Sequence, residues 1–360
     1  MLLDLSCLSY PLPPDVRRLY EAGDFGRMEL VIRRRLDDPC VPEALKARLR
    51  VQLEMAYEIP RAYPYTRAQM LDILQKNVSG FAEEELETLR DDGTLDWRYV
   101  NGEVRFKNNA LSALLKTRKE YAMRATDPAV MSGAKASTEQ LSAMIAKMKA
   151  NGGVRARFEL HEELTVRSDR LTEGETLRIH LPMPIVGAQV KRAELLSASH
   201  PVAFLAPEDE PQRTIYFELP YEPGMTVSAE IAYEIDAPYA QPHAREVYAE
   251  QPVFDTEELP PHVVFTPYLR ALAKEIVGDE TNALLKARKI YDFITTQAVY
   301  RFMPPYLTVP NIPEYFLSGL RGDCGVQAIT FVTLCRLCGV PAQWQSGLYT
   351  KPNSAGHHDW

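Results

Sequence analysis

Cys324 lies in the run Gly322-Asp323-Cys324-Gly325, which leads into a stretch of helical apolar spacing, and His357-His358-Asp359-Trp360 follow further along the chain. A thiol placed where a glycine-flanked loop turns into a helix sits near unpaired backbone N–H groups and the positive end of the helix dipole. Both favour the thiolate, the form that attacks a carbonyl carbon. A histidine on a later strand would hold the proton, and the pair is the minimum apparatus for covalent acyl transfer by a cysteine enzyme. A lone cysteine is ordinarily a small buried hydrophobe. A buried amphipathic helix would explain the apolar residues after Cys324, but not Gly-Asp-Cys-Gly at its start.

The elements around this pair follow from period and punctuation. The cysteine helix is predicted from Cys324 to Cys338, with Ala328, Phe331, Val332, Cys335 and Leu337 as core contacts, Gly339 capping it and Pro341 preventing continuation. Upstream, Pro267 to Val277 reads as a helix with proline at its start and Gly278 at its end. Asp279 to Thr296 reads as a second, burying Leu284, Leu285, Ala287, Ile290, Tyr291 and Ile294. Ala298 to Phe302 is a predicted strand, and Met303 to Leu320, with its prolines, a loop.

The segment from Gly322 to Trp360 resembles the core of the transglutaminase-like superfamily, of bacterial type, whose papain-like arrangement many bacterial cysteine peptidases share. The match runs Gly-x-Cys, an apolar helix, Arg336, Gly339-Val340-Pro341-Ala342, a strand with Gly347-Leu348-Tyr349, and His-x-Trp. Helix, helix, strand, long loop and cysteine helix is also the family order, so the resemblance extends over about residues 262 to 360. It implies Cys324 as nucleophile and His358 as general base and acid, because His358 with Trp360 fits His-x-Trp and His357 does not. Gly322, Asp323, Gly325, Trp360 and Tyr300 would support the site, Trp360 by shielding the imidazole. The backbone N–H of Cys324 is the first candidate for the oxyanion, ahead of a side chain from Tyr300 or the Tyr306 loop. The family's third residue is an Asp on the strand after His-x-Trp. The sequence stops at Trp360, so the chain is expected to be the front part of a longer protein. Asp359 is no replacement, since successive strand residues point to opposite faces.

Other chemistries fit less well. Cys335 and Cys338 form C-x-x-C, but at the C-terminal end of the predicted helix, where the dipole opposes a thiolate. Adjacent histidines rarely converge on one ion, and His161, His180 and His200 have no thiol or carboxylate at ligand spacing, so no metal site is expected. The acyl-transfer chemistry needs no organic cofactor either.

The 360 residues are too many for one ordinary core, and 46% hydrophobic with 25% charged residues is the composition of a folded protein in water. The expected fold class is multidomain α+β, in four parts. Residues 1–125 form a helical region, with helices over Val16 to Leu36, Pro42 to Tyr57 and Thr66 to Val78. It includes a hairpin of Trp97 to Val100 and Glu103 to Phe106 around Asn101-Gly102. Residues 126–153 are a linker and a connector helix, Ser137 to Ala150. Residues 154–240 alternate with period two and read as an antiparallel β-sandwich, as in Phe158-Glu159-Leu160, Leu164-Thr165-Val166, Leu177 to Leu181, Ile215 to Leu219 and Val227 to Ile231. Residues 241–360 are the papain-like, transglutaminase-like core, incomplete at its C-terminus.

Two helices and a hairpin can suggest a winged DNA-binding unit, yet residues 1–125 carry as many Lys plus Arg as Asp plus Glu. With a net charge of −8, neither nucleic acid nor an anionic membrane is an expected partner. No apolar run approaches the ~20 residues of a membrane helix. Five cysteines, few and odd in number, argue against a disulfide framework. The opening residues, with Asp4 and early prolines, carry no secretory signal, so a cytoplasmic location is expected. The expected function is attack on a carboxamide in a protein or peptide, through a thioester, with hydrolysis favoured over crosslinking. The alternative is a silent transglutaminase-like scaffold that binds proteins. The sequence specifies neither oligomeric state nor substrate.

Overall fold

The computed structural model describes residues 5–167 and 171–347, with side chains for all of these except 131–137. Two compact units emerge. One joins the residues up to Ala136 with His243–Trp344, and the other is built on Ser137–Pro242.

In the first unit, the expected helix over Val16 to Leu36 is two helices, Pro14–Glu21 and Phe25–Asp37. The break falls at Gly23, whose φ of +71° and whose approach to the Tyr99 carbonyl leave no room for a Cβ. Asp24 restarts the helix by accepting from Arg27 N at 3.1 Å. These two and the long helix Glu43–Ala62 enclose a cluster of Val16, Phe25, Met28, Ile32, Leu49, Met55 and Ile59. Helix Arg67–Asn77 starts at a capping box between Thr66 and Gln69. The hairpin pairs Trp97–Val100 with Glu103–Phe106, and both turn residues have positive φ, Asn101 at 50° and Gly102 at 89°. Tyr65–Thr66 adds a third strand on Glu103–Phe106.

The later part of this unit packs helices Pro267–Val277, Ala283–Gln297, Ile312–Gly319 and Cys324–Leu337 around Leu269, Ile290, Ile294, Phe316, Val326 and Leu334. Three expectations are corrected here. Met303 to Leu320 is not one loop: it holds a 3-10 turn, Tyr306–Thr308, and helix Ile312–Gly319. Pro313 sits in the first turn of that helix, where a missing N–H costs nothing, and Asn311 caps it by accepting from Glu314 N at 2.9 Å. The second helix begins at Ala283, because Asn282 accepts from Leu284 N and Leu285 N, and its Leu285 and Tyr291 face solvent. The stretch expected as a linker is helical from Ala129, in one helix that runs to Asn151, consistent with its alanine content.

The second unit is two three-stranded antiparallel sheets. Thr226–Pro238 lies between Gly153–Thr165 and Val190–Ala198 in one sheet. Thr214–Pro220 lies between Thr176–Pro182 and Phe204–Leu205 in the other. Ile179, Leu181, Ile215, Phe217, Val227, Ala229 and Ile231 fill the space between them. Two short strands expected around Phe158 and Leu164 are one long strand. Val190–Ala198 was missed because Lys191, Arg192 and Glu194 interrupt its alternation, and a register shift follows Val190.

Candidate active site

Cys324 is the first residue of its helix and is exposed. The turn that presents it is specified on both sides. Before it, helix Ile312–Gly319 ends at Leu320, left-handed with φ 49°, and Arg321–Gly322 pairs in parallel with Val299–Tyr300. Asp323 is the N-cap, its Oδ1 accepting from Val326 N at 3.0 Å. The same oxygen accepts from the Tyr306 hydroxyl at 2.7 Å.

The flanking glycines have packing reasons. A Cβ on Gly322 would stand 2.8 Å from Val326 Cγ1 and 2.9 Å from Phe316 Cδ2. A Cβ on Gly325 would stand 2.5 Å from the Tyr306 hydroxyl. The missing side chain at Gly325 is therefore what lets Tyr306 reach Asp323 beside the thiol. Partial burial first, then the hydrogen bond to Asp323 and its negative charge, raise the pKa of the Tyr306 phenol above the ordinary tyrosine range. Tyr306 is thus a neutral donor at any ordinary pH. Tyr300 lies on the adjacent strand, in register with Gly322.

Apart from Ala328, the rest of the helix is buried or half-buried, most continuously from Val332 to Arg336. Thr330 and Thr333 satisfy their hydroxyls on the carbonyls of Val326 and Ile329, both at 2.8 Å. Ala328, expected in the core, is exposed, and Arg336 is buried. Arg336 donates to the carbonyls of Ala342 at 2.6 Å and Glu257 at 3.2 Å, and to Asp255 Oδ1 at 3.2 Å, tying the segment after the helix and the chain ahead of helix Pro267–Val277 to it. Cys335 and Cys338 are free, and burial pushes the Cys335 thiol up to about 12 and raises that of Cys338 as well. Burial thus disfavours the thiolate at these two positions, whereas the sulfur of Cys324, at the N-terminal end of the helix, is exposed.

The structure brings Gly322, Asp323, Cys324 and Gly325 together, with Tyr300 and Tyr306 on the neighbouring strand and turn. His357, His358, Asp359 and Trp360, like Leu348 and Tyr349, lie outside the described residues. The bond from Tyr306 to Asp323 was not anticipated, and its signal is indirect: a glycine at the first turn of a helix, where alanine would be the better helix former.

Residues 270–360 match the model of a family described as the transglutaminase-like superfamily. No curated protein matches the chain. Among solved structures, the chain is similar to one from Cytophaga hutchinsonii described as "a Putative Cysteine Protease", at 18% identity and a TM-score of 0.36, over 52% of this chain and 67% of that one.

Proposed function

We propose that the transglutaminase-like segment of residues 270–360 works as a cysteine acyl-transfer enzyme, with Cys324 as nucleophile and His358 as the group that moves the proton. The observation that carries this reading is an exposed thiol at the first position of a capped helix, on a segment where burial disfavours the thiolate at the other two cysteines. The Cys324 thiolate would add to the carbon of a carboxamide, and the charge developing on oxygen would be met by the backbone N–H of Cys324. That N–H belongs to the first helical turn, where such groups lack intrahelical partners. The C–N bond then breaks, His358 gives its proton to the departing nitrogen, and a thioester remains.

Water, or a second amine, attacks that thioester. Because the sulfur is exposed to solvent, hydrolysis is the favoured outcome. The carboxamide would belong to a glutamine side chain, a peptide bond or an isopeptide bond in a protein or peptide. Cys40, Cys324, Cys335 and Cys338 form no disulfide, which suits a reducing cytoplasm. Among the described residues no helix is long and apolar enough to cross a membrane.

The test has two parts. Brief iodoacetamide treatment with peptide mapping should label Cys324 well ahead of Cys335 and Cys338, and His358→Ala should slow it. Ammonia or amine release from a glutamine-containing peptide library should vanish in Cys324→Ala. Activity that survives Cys324→Ala would overturn the nucleophile assignment, whereas a parent chain with no activity and no preferential labelling of Cys324 would leave the scaffold reading in its place.

A further inference from the structure

The chain from Tyr300 to Thr308 runs between the turn that presents Cys324 and the N-terminal helical region, and it is held from both sides. Toward the nucleophile, Arg301 N donates to the Gly322 carbonyl at 3.2 Å, and the Tyr306 hydroxyl reaches Asp323. From the other side, Lys116 Nζ stands 4.2 Å over the Tyr300 ring and 5.2 Å over that of Phe302. Asp96 pairs with Arg301 and accepts from the Tyr63 hydroxyl at 2.8 Å. Lys107 Nζ donates to the Met303 carbonyl. Leu307 packs against the apolar cluster of the first three helices, and the Tyr20 hydroxyl donates to the Thr308 carbonyl at 3.1 Å.

Lys107 is the telling member of this set. Its side chain is buried at 6% exposure, and desolvation lowers its pKa. Burying an ammonium against a carbonyl is a costly form of adhesion, and a methionine of similar length would fill the space without that penalty. What only the ammonium supplies is a directional bond that fixes the Met303 carbonyl, three residues before Tyr306.

We infer that Lys107 and Asp96, carried by the N-terminal helical region, are positioning residues for the nucleophile, holding Met303 and Arg301 so that Tyr306 meets Asp323 and the helix starts at Cys324. The N-terminal region is then part of the catalytic apparatus, although it contributes no group that touches substrate. This rests on the reading of Cys324 as the nucleophile.

The experiment uses the full chain and iodoacetamide as the probe, with ammonia or amine release from the glutamine-containing peptide library as the second readout. Lys107→Met and Asp96→Asn should each slow Cys324 alkylation about tenfold and lower kcat with KM unchanged, as expected when a reacting group is misplaced. Lys107→Arg, which keeps a donor, should restore part of the rate. A fall in melting temperature with unchanged alkylation and kcat would make these residues merely structural and overturn the inference. Should Lys107→Met fail to fold, Tyr20→Phe, which removes a single hydroxyl from the same support, carries the test: slower alkylation supports the inference, and an unchanged rate overturns it. Failure of the underlying reading looks different, since Cys324 would then be dispensable or slow to label in the unaltered chain.

Discussion

Asp323 is where the geometry of the candidate nucleophile is most open to test, because one oxygen serves two donors. Its Oδ1 accepts from Val326 N at 3.0 Å and from the Tyr306 hydroxyl at 2.7 Å. Asp323→Ala removes the N-cap, at a cost of about 1 kcal/mol. It also removes the hydroxyl's acceptor, a further ~1 kcal/mol. Tyr306 is 41% exposed, so water takes over as the hydroxyl's partner and the full penalty of a buried orphan does not arise. Because both bonds end on the same atom, the sum of about 2 kcal/mol is an upper figure. At roughly 2 to 4 °C per kcal/mol for a domain of this size, melting should fall by about 4 to 8 °C. Asp323→Asn keeps an oxygen that caps nearly as well and still accepts from Tyr306, so its cost should stay under about 1 kcal/mol. Urea unfolding of the parent and both variants, with alkylation of Cys324 alongside, measures these differences. An alanine variant as stable as the parent, or an asparagine variant as weak as the alanine one, would refute the shared-acceptor geometry.

Gly322→Ala should destabilise the chain by about 1 to 3 kcal/mol in urea, since its Cβ would press on Val326 and Phe316 at under 3 Å. Arg336→Met should cost about 3 kcal/mol by leaving Asp255 and two carbonyls without their donor. Arg336→Lys should recover only part of this, because an ammonium cannot reproduce the fork. Glu162, on strand Gly153–Thr165, has neither carboxylate oxygen hydrogen-bonded among the described residues, and burial raises its pKa to about 7. Between the ordinary carboxylate pKa of about 4.3 and 7, the folded chain therefore holds a proton that the unfolded chain has released, so stability should fall as pH rises through that window. Glu162→Gln should flatten this trend in urea unfolding at pH 5 and pH 8, and identical slopes for parent and variant would count against it.

Where structure depends on neighbours within a few residues, it was legible in the sequence. The hairpin follows from Asn101-Gly102, which tolerate positive φ where few other pairs do. The cysteine helix starts at Cys324 as expected, but the expectation that a helix would not explain Gly-Asp-Cys-Gly is corrected: Asp323 is an ordinary N-cap, and Gly322 and Gly325 are kept small by Val326, Phe316 and Tyr306. Period two in residues 154–240 indicated antiparallel strands, but not the strand whose charges mask its alternation. Helical periodicity separates a wet face from a dry one only when one side meets water. In helix Cys324–Leu337, where buried and half-buried residues lie on nearly every side, it therefore placed Ala328 inside and gave no hint that Arg336 is buried. Pro313, one of the prolines that read as breakers between Met303 and Leu320, turned out to sit in the first turn of a helix, a distinction that depends on which N–H groups are already spare. What only the tertiary structure decided is the support of the site: Tyr306 against Asp323, Asp96 with Arg301, and Lys107 on the Met303 carbonyl. A charged or hydroxyl side chain carries the same local signature whether it ends in water or in a partner's reach. The partner is chosen by which surfaces apolar burial brings together, and that choice is a property of the folded chain.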